Sequence, residues 1–98
     1  MVLGKKIGID LGTSASRLHL RGEGAVTTEP SAVACEVGSG RVLGVGSAAE
    51  QLAARPDVVI RRPLRDGLVA DPLAADAMLT GLVHRSSGRQ RIFRPDLM

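Results

Sequence analysis

The sequence predicts an α/β or α+β domain rather than a helical bundle. Short runs with alternating apolar residues, typical of strands, fill most of the first half of the chain. A short helical segment, one more strand and a longer helical segment follow, which is the element order of a mixed fold. The 98 residues fit one domain or part of one, and a hydrophobic content of 44% is too high for a disordered chain.

The first predicted element is a β-hairpin at the start of the chain. Alternating apolar residues predict a strand over residues 5–11 and a second, half-buried strand around Leu18 and Leu20. Residues 12–14 are expected to form the turn between them, because the two runs are close enough in sequence to pair.

Three further short strands are predicted in the middle of the chain, over residues 32–37, 42–45 and 58–60. The glycine-rich stretch 38–40 separates the first two as a turn. Residues 61–67 are expected to be extended and then to turn.

Two helices are predicted from their starting signals. Ser47 and Glu50 have the spacing of a capping box, which predicts a short helix that ends before Pro56. Asp71 is a good N-cap with Pro72 at the first helical position, which predicts a helix to about residue 85. The apolar face of this second helix is expected to consist of Ala75, Met78, Leu79, Leu82 and Val83.

The charge distribution predicts a basic end of the chain. The 13 basic and 10 acidic residues give a net charge of +3, and the excess lies within residues 78–98. Arg61 and Arg62 are expected on a solvated face, with a salt bridge as the alternative. No apolar run is long enough to span a membrane and the start of the chain lacks a signal-peptide pattern, so we expect a cytoplasmic protein.

Two residue counts exclude further function classes. Phe93 is the only aromatic residue, which argues against a stacking surface for nucleic acid, and we expect no nucleic-acid partner. Cys35 is the only cysteine, so no internal disulfide can form, and we expect it as a small core residue in a reducing compartment.

The turn after the first strand is the strongest candidate for a binding site. A glycine at position 12 lets backbone amides approach an anion, and a tight turn aims successive N–H groups into one concavity. Thr13 and Ser14 add hydroxyl donors, and Asp10 can hold Mg²⁺ through water. These residues predict a phosphate site, with an ordinary hairpin turn as the alternative.

A second glycine turn competes with the first. Residues 44–49 fit the G-x-G-x-x-A pattern of dinucleotide-binding proteins, and Asp66 lies at a suitable distance downstream. A plain turn from strand to helix, with its cap, explains the same residues.

The basic end carries an apolar pair between cations. Ile92 and Phe93 are flanked by Arg91 and Arg94, a pattern that suits contact with the anionic inner face of the cytoplasmic membrane. The alternative is that the apolar pair packs back on the core.

Several of these segments resemble one family. Residues 7–13 resemble the first phosphate motif of the actin and Hsp70 superfamily. Residues 29–34, 40–46 and 62–71 are similar, in order and spacing, to the MreB family of bacterial actin-like rod shape-determining proteins. Residues 92–95 resemble the loop that some members insert into the inner leaflet of the membrane.

The resemblance implies an actin-like, ribonuclease H-like fold, of which this chain is the amino-terminal part. Residues 1–28 and 66–98 would belong to subdomain IA, which is incomplete here, and residues 29–65 to the small inserted subdomain IB. We therefore expect strands and a helix of subdomain IA with subdomain IB between them.

The resemblance also implies a function. It predicts a cytoskeletal protein that acts in cell-shape determination through ATP-dependent filaments of its own kind, at the inner face of the cytoplasmic membrane. Asp10 would serve the nucleotide-bound Mg²⁺, and Gly12, Thr13 and Ser14 would contact the terminal phosphates of ATP. Ala15 departs from the asparagine that the family usually has there.

The family's catalytic acid, second phosphate loop and adenosine pocket have no counterpart in these 98 residues. We therefore expect no ATP hydrolysis by this chain alone. Two alternatives to the ATPase filament stay open at this point: a non-catalytic module that binds membrane or filament, and a degenerate product without activity.

Overall fold

The expected α/β architecture is present in the computed structural model, which describes residues 7–20 and 25–86. These residues form three small antiparallel sheets and two helices. In chain order the elements are β1 (Ile7–Asp10), β2 (Ala15–Leu20), β3 (Ala25–Pro30), β4 (Val33–Glu36), β5 (Val42–Val45), α1 (Ser47–Leu52), β6 (Val58–Arg61), β7 (Leu64–Arg65), β8 (Leu68–Val69) and α2 (Pro72–Ser86).

The first sheet has the order β1-β2-β3, and the predicted hairpin of β1 and β2 is confirmed. Asp10 and Arg17 form the last pair of that hairpin, next to the turn. Strand β3 was missed by the sequence analysis, because its exposed side chains lack a clear apolar alternation. Its β-branched residues Val26, Thr27 and Thr28 were the signal that could have found it.

The second sheet has the order β5-β4-β6, with both outer strands antiparallel to β4. The three predicted strands and the turn between the first two are confirmed. Gly38 and Gly40 adopt positive φ angles of 100° and 76° in that turn. Strand β4 is central and carries buried residues on both faces, including Val33, Ala34 and Cys35.

The third sheet is a two-stranded hairpin, β7-β8, that the sequence analysis described only as an extended segment followed by a turn. Its turn residues Asp66 and Gly67 both have positive φ angles, of 53° and 77°. An Asp-Gly pair is among the strongest signals for such a two-residue hairpin turn, so this element could have been predicted.

Helix α2 starts as predicted. The Asp71 carboxylate accepts a hydrogen bond from the Ala74 N–H at 3.1 Å, and Pro72 is the first helical residue. This hydrogen bond and the Arg61 guanidinium together hold the pKa of Asp71 below its ordinary value, against the effect of burial. Arg61 Nε lies 2.7 Å from Asp71 Oδ2, so the salt bridge expected as the alternative forms, and the Arg61 side chain stays half-exposed.

The predicted buried face of α2 is confirmed at Ala75, Met78 and Leu82, which are all buried. Ala74 is also buried, whereas Leu79 is exposed and Val83 is only half-buried. Helix α2 packs against β1 of the first sheet and against β4 and β5 of the second. Because two sheets cover it from different sides, its buried residues do not form the single apolar stripe that the sequence pattern predicts.

The main core lies between α2 and the central part of the second sheet. Its buried members are Val33, Cys35, Val45, Ala74, Met78 and Leu82, with Ile9 and Leu11 of the first strand region packed against them. The predicted position of Cys35 in the core is confirmed. A Cβ atom on Gly81 would lie 2.4 Å from Val45 Cγ2, so glycine there permits the close approach of α2 to β5.

Candidate functional site

The candidate phosphate turn joins β1 to β2 and depends on a glycine. A Cβ atom at Gly12 would lie 2.3 Å from the backbone oxygen of Ala15, far inside van der Waals contact. No larger residue fits without a shift of the backbone. The Gly12 N–H donates to Ser16 Oγ at 3.4 Å, a long hydrogen bond that an incoming anion can replace at low cost.

A buried pair of hydroxyls supports this turn from below. Ser16 Oγ and Ser31 Oγ lie 2.6 Å apart, and both residues are fully buried. The Ser31 N–H donates to the Ser14 carbonyl oxygen at 2.9 Å, which ties the turn to the segment between β3 and β4. The Arg62 guanidinium donates to the Ser31 carbonyl oxygen at 3.2 Å, so this exposed arginine also holds the support in place.

The sequence analysis missed Ser16 and Ser31 as site residues. The burial of Ser16 could have been predicted, because strict alternation along β2 places it on the same buried face as Leu18. Ser31 is fifteen residues away from Ser16, and only the fold brings the two together.

The two hydroxyl-bearing residues of the turn lie at the surface. Thr13 and Ser14 are both exposed. Thr13 Oγ1 accepts a hydrogen bond of 2.9 Å from the Gly67 N–H at the tip of the β7-β8 hairpin. Because that bond uses a lone pair of the oxygen, the hydroxyl proton of Thr13 stays available to a phosphate oxygen.

Asp10 ends β1 beside the turn, and its side chain is 74% exposed. One carboxylate oxygen lies 3.4 Å from His19 Nε2 on the neighbouring strand. An exposed carboxylate suits a magnesium ion that keeps most of its water shell. Within residues 7–20 and 25–86, no group of three or more His, Cys, Asp or Glu side chains could hold a metal ion directly.

In the second glycine turn, at residues 44–49, a side chain of the protein already binds the N-terminus of α1. Gly46 has a φ of 68° and is the N-cap of α1, so the helix starts at Ser47. The predicted capping box at Ser47 and Glu50 is therefore wrong, since Ser47 lies inside the helix and its side chain makes no cap. The carboxylate of Glu29 accepts the Ser47 N–H at 2.8 Å instead.

Glu29 also holds an ion pair. Its second oxygen lies 2.6 Å from Arg85 Nη1, near the end of α2, and the Glu29 side chain is only 10% exposed. Burial raises the pKa of Glu29, but the hydrogen bonds from Ser47 and Arg85 outweigh it and hold the pKa below its ordinary value. The carboxylate is therefore charged at neutral pH.

The dinucleotide interpretation of residues 44–49 does not hold. A bound pyrophosphate would need the helix N-terminus that the Glu29 carboxylate occupies. In addition, β5 and β6 are separated by the antiparallel strand β4, so the parallel unit of a dinucleotide fold is missing here. Asp66 lies in the β7-β8 turn.

The predicted membrane-contact residues Arg91, Ile92, Phe93 and Arg94 lie outside the described residues. Neither helix described in residues 7–20 and 25–86 is long and apolar enough to cross a bilayer.

Comparison with known sequences identifies related proteins. The family model for MreB/Mbl protein matches residues 4–98. The cell shape-determining protein Mbl of Bacillus subtilis is 38% identical over 96 residues, which cover 96% of this chain and 29% of Mbl. The cell shape-determining protein MreB of Escherichia coli is 37% identical over 79 residues, which cover 74% of this chain and 23% of that protein. The chain thus spans less than a third of the length of the curated relatives it matches.

Comparison with solved structures supports the same relationship. The crystal structure of MreB5 of Spiroplasma citri bound to ADP matches with a TM-score of 0.70 and 30% identity, over 85% of this chain and 26% of MreB5. The AMPPNP-bound structure of the same protein matches with a TM-score of 0.69 and 32% identity, over 81% of this chain and 24% of MreB5. The expected actin-like fold is thereby confirmed.

Proposed function

The chain belongs to the MreB/Mbl family, and we propose that it supplies the phosphate- and magnesium-binding turn of an ATP-dependent filament protein that acts in cell-shape determination. One observation supports this proposal above the others. The Gly12 turn carries two exposed hydroxyl residues, Thr13 and Ser14, directly above the fully buried hydrogen-bonded pair Ser16 and Ser31. The buried pair fixes the position of the turn, so its donors are held in place for a ligand.

Each residue of the turn has a separate role in the proposal. Gly12 brings its backbone close to the phosphates, because any side chain there would collide with the Ala15 oxygen. Thr13 and Ser14 donate their hydroxyl protons to terminal phosphate oxygens. Asp10 orders the water shell of the bound Mg²⁺, and the metal when bound neutralises part of the phosphate charge.

The nucleotide assignment has a parallel among the solved relatives. The two MreB5 structures contain ADP and AMPPNP, so that protein binds adenine nucleotides with a fold that this chain shares. We extend the ligand class, ATP with Mg²⁺, to the turn of this chain.

We also propose the wider organisation that the resemblance implies. Residues 1–28 and 66–98 belong to subdomain IA and residues 29–65 to subdomain IB. The partners are further filament subunits of the same kind, and the location is cytoplasmic, at the inner membrane face. Arg91, Ile92, Phe93 and Arg94 make the membrane contact, with the apolar pair in the acyl boundary and the arginines on anionic headgroups.

The nucleotide proposal is tested by NMR on the ¹⁵N-labelled 98-residue chain. ATP with Mg²⁺ is added to about 10 mM, which saturates even a site with a Kd of about 1 mM. We expect saturable shifts of the Gly12, Thr13 and Ser14 amide signals. Asp10→Ala should weaken the binding, whereas Asp76→Ala, which removes an exposed carboxylate from α2, should leave it unchanged.

Two outcomes would contradict the proposal. Unmoved amide signals in the turn at saturating nucleotide would remove it for this chain. Equal affinities of the wild type and Asp10→Ala would remove the metal assignment alone.

The membrane proposal is tested by co-sedimentation with vesicles that contain an anionic lipid. Phe93→Asp should reduce the bound fraction, and Val26→Asp, at an exposed position of β3, serves as the matched control. Equal binding by the wild type and Phe93→Asp would overturn the membrane contact.

A further inference from the structure

An arginine stands opposite the proposed magnesium carboxylate. Asp10 and Arg17 are paired residues at the end of the β1-β2 ladder, and the turn with Gly12, Thr13 and Ser14 starts directly beyond them. Directly opposed residues on neighbouring strands project from the same face of a sheet. The outer face therefore carries one carboxylate and one guanidinium at the base of the phosphate turn.

The guanidinium of Arg17 has no partner within the protein, as far as residues 7–20 and 25–86 describe it. It is exposed, and no hydrogen bond or ion pair joins it to another described residue. Asp10, the carboxylate opposite, approaches His19 rather than Arg17. Arg55, Arg61, Arg62 and Arg85 donate to a described oxygen, whereas the exposed Arg41 and Arg65, like Arg17, have no side-chain partner among the described residues. Of these three, Arg17 is the one paired with Asp10 in the β1-β2 ladder.

Arg17 is the charged residue on the outer face of β2 that lies nearest to the turn. Ser16 faces the core, so the exposed side chains that follow the turn are those of Ala15 and Arg17. Ala15 offers no polar atom. Arg17 is consequently the first residue after Ser14 that can bring a charged donor to a ligand at the turn.

We infer that Arg17 is a phosphate-binding residue of the same site. Its guanidinium binds terminal phosphate oxygens directly, on the same face of the sheet as Asp10, which would hold Mg²⁺ through water. A guanidinium presents paired N–H donors that match two phosphate oxygens, which makes arginine well suited to this contact. This inference rests on the proposed nucleotide function and adds to it a direct, metal-independent attraction for the phosphates.

The separation of roles makes a specific test possible. The probe is inorganic tripolyphosphate, which has the charge of the nucleotide's phosphate chain but no base or ribose. It is titrated into the ¹⁵N-labelled chain with and without Mg²⁺, and the amide shifts of Gly12, Thr13 and Ser14 give the affinity. The Arg17 Nε–H signal provides a second readout, because a bound phosphate slows its exchange with water.

The expected results differ between variants. Arg17→Leu should weaken tripolyphosphate binding about tenfold, both with and without Mg²⁺, because a charge-assisted contact is lost. Arg17→Lys should lose less, since it keeps the charge but not the fork of donors. Asp10→Ala should abolish the strengthening by Mg²⁺ and leave metal-free binding in place. Arg41→Leu, which removes an exposed charge beside β5, is the matched control and should bind as the wild type does.

The outcomes separate this inference from the proposed function. Turn signals that move in the wild type and equally in Arg17→Leu would overturn the role of Arg17 and leave the phosphate turn standing. Turn signals that move with neither tripolyphosphate nor nucleotide would overturn both.

Discussion

Two glycine turns of this chain carry the sequence pattern of an anion site, and they differ in what meets their backbone amides. At Gly46, the amide that follows in α1 donates to the buried carboxylate of Glu29. At Gly12, the amide donates only over 3.4 Å to Ser16 Oγ, and the neighbouring Thr13 and Ser14 are exposed. The Ser47 amide is thus bound to a buried carboxylate, whereas the Gly12 amide makes only a long hydrogen bond and Thr13 and Ser14 lie at the surface.

The difference comes from residues distant in sequence. Glu29 precedes Ser47 by eighteen positions, and the ladder between β2 and β3 decides where its side chain points. A local pattern of glycines describes the shape of a turn but not the partners of its N–H groups. A candidate anion site therefore needs N–H groups whose protein partners are weak or missing, which glycine spacing alone does not show.

The largest expected effect is the loss of the Glu29 carboxylate. Glu29→Ala leaves the Ser47 N–H and the Arg85 guanidinium without their acceptor in a mostly buried place. We expect a loss of about 3 kcal/mol in the free energy of unfolding, at the lower end for a buried pair because Arg85 is partly exposed. Urea denaturation followed by circular dichroism measures it.

Glu29→Gln is the matched control for that experiment. The amide oxygen of glutamine can still accept the Ser47 N–H, so about half of the loss should remain. If Glu29→Ala unfolds at the same urea concentration as the wild type, the Glu29 carboxylate does not stabilise the Gly46 turn. The proposed difference between the two turns would then be wrong.

Much of the fold could be predicted from the sequence, since it depends on local patterns. The β1-β2 hairpin, strands β4, β5 and β6, and the Asp71 cap of α2 all follow from alternation, turn residues or cap residues. Strand β3 was missed although its β-branched residues Val26, Thr27 and Thr28 favour a strand, because an exposed edge strand has weak alternation. The buried face of α2 differed from its prediction only in part, with Ala74 buried and Leu79 exposed, because that helix packs on two sheets.

The candidate site was predicted only in its outer part. Asp10, Gly12, Thr13 and Ser14 are neighbours in sequence, and a short motif describes them. The support beneath them depends on Ser31, which the chain brings in through β3. Contacts of that range require the sheet register, which a single sequence does not supply.

The next effect in size concerns Gly12. Gly12→Ala places a methyl group 2.3 Å from the Ala15 oxygen, so the backbone of the turn must shift. We expect a loss of about 2 kcal/mol in stability from this overpacking, together with the loss of nucleotide-dependent amide shifts in the turn. Thermal and urea unfolding give the first value, and the NMR titration gives the second.

Gly8→Ala tests whether any added methyl in β1 has the same result. A Cβ atom there would meet the His19 Cβ at 3.7 Å, which is ordinary contact. Gly8→Ala should therefore change stability little and leave the amide shifts intact. Equal behaviour of the two variants would show that the close approach at Gly12 has no special importance.

Acid should weaken the turn at Gly46 that the Glu29 carboxylate stabilises. The folded-state pKa of Glu29 is lowered from its ordinary value of 4.5, so the unfolded chain takes up the proton first as the pH falls. Its contribution to stability is complete above pH 4.5 and is lost as the pH drops below that value through the folded-state pKa. The urea midpoint, measured from pH 7 to pH 3, should fall less steeply for Glu29→Gln. Parallel curves for both proteins would contradict this assignment.

Asp71 offers a local counterpart to Glu29, because it also places a carboxylate at a helix N-terminus. Asp71→Ala removes the acceptor of the Ala74 N–H, and we expect a loss of about 1 kcal/mol in stability. Asp71→Asn keeps the cap and loses only the half-exposed ion pair with Arg61, so its effect should be a few tenths of a kcal/mol. Equal losses in both variants would transfer the main role from the cap to the ion pair.

The smallest expected effect lies in the open turn itself. Thr13→Val keeps the shape of the side chain and removes the oxygen that accepts the Gly67 N–H. Both groups are exposed and water can replace the lost bond, so stability should change by no more than about 0.5 kcal/mol. The Gly67 amide proton should nevertheless exchange faster with solvent, whereas Thr13→Ser should keep the wild-type rate. A large stability loss in Thr13→Val would mean that the protein holds the Gly12 turn as firmly as it holds the Gly46 turn through Glu29. The two turns would then no longer differ in how they are held.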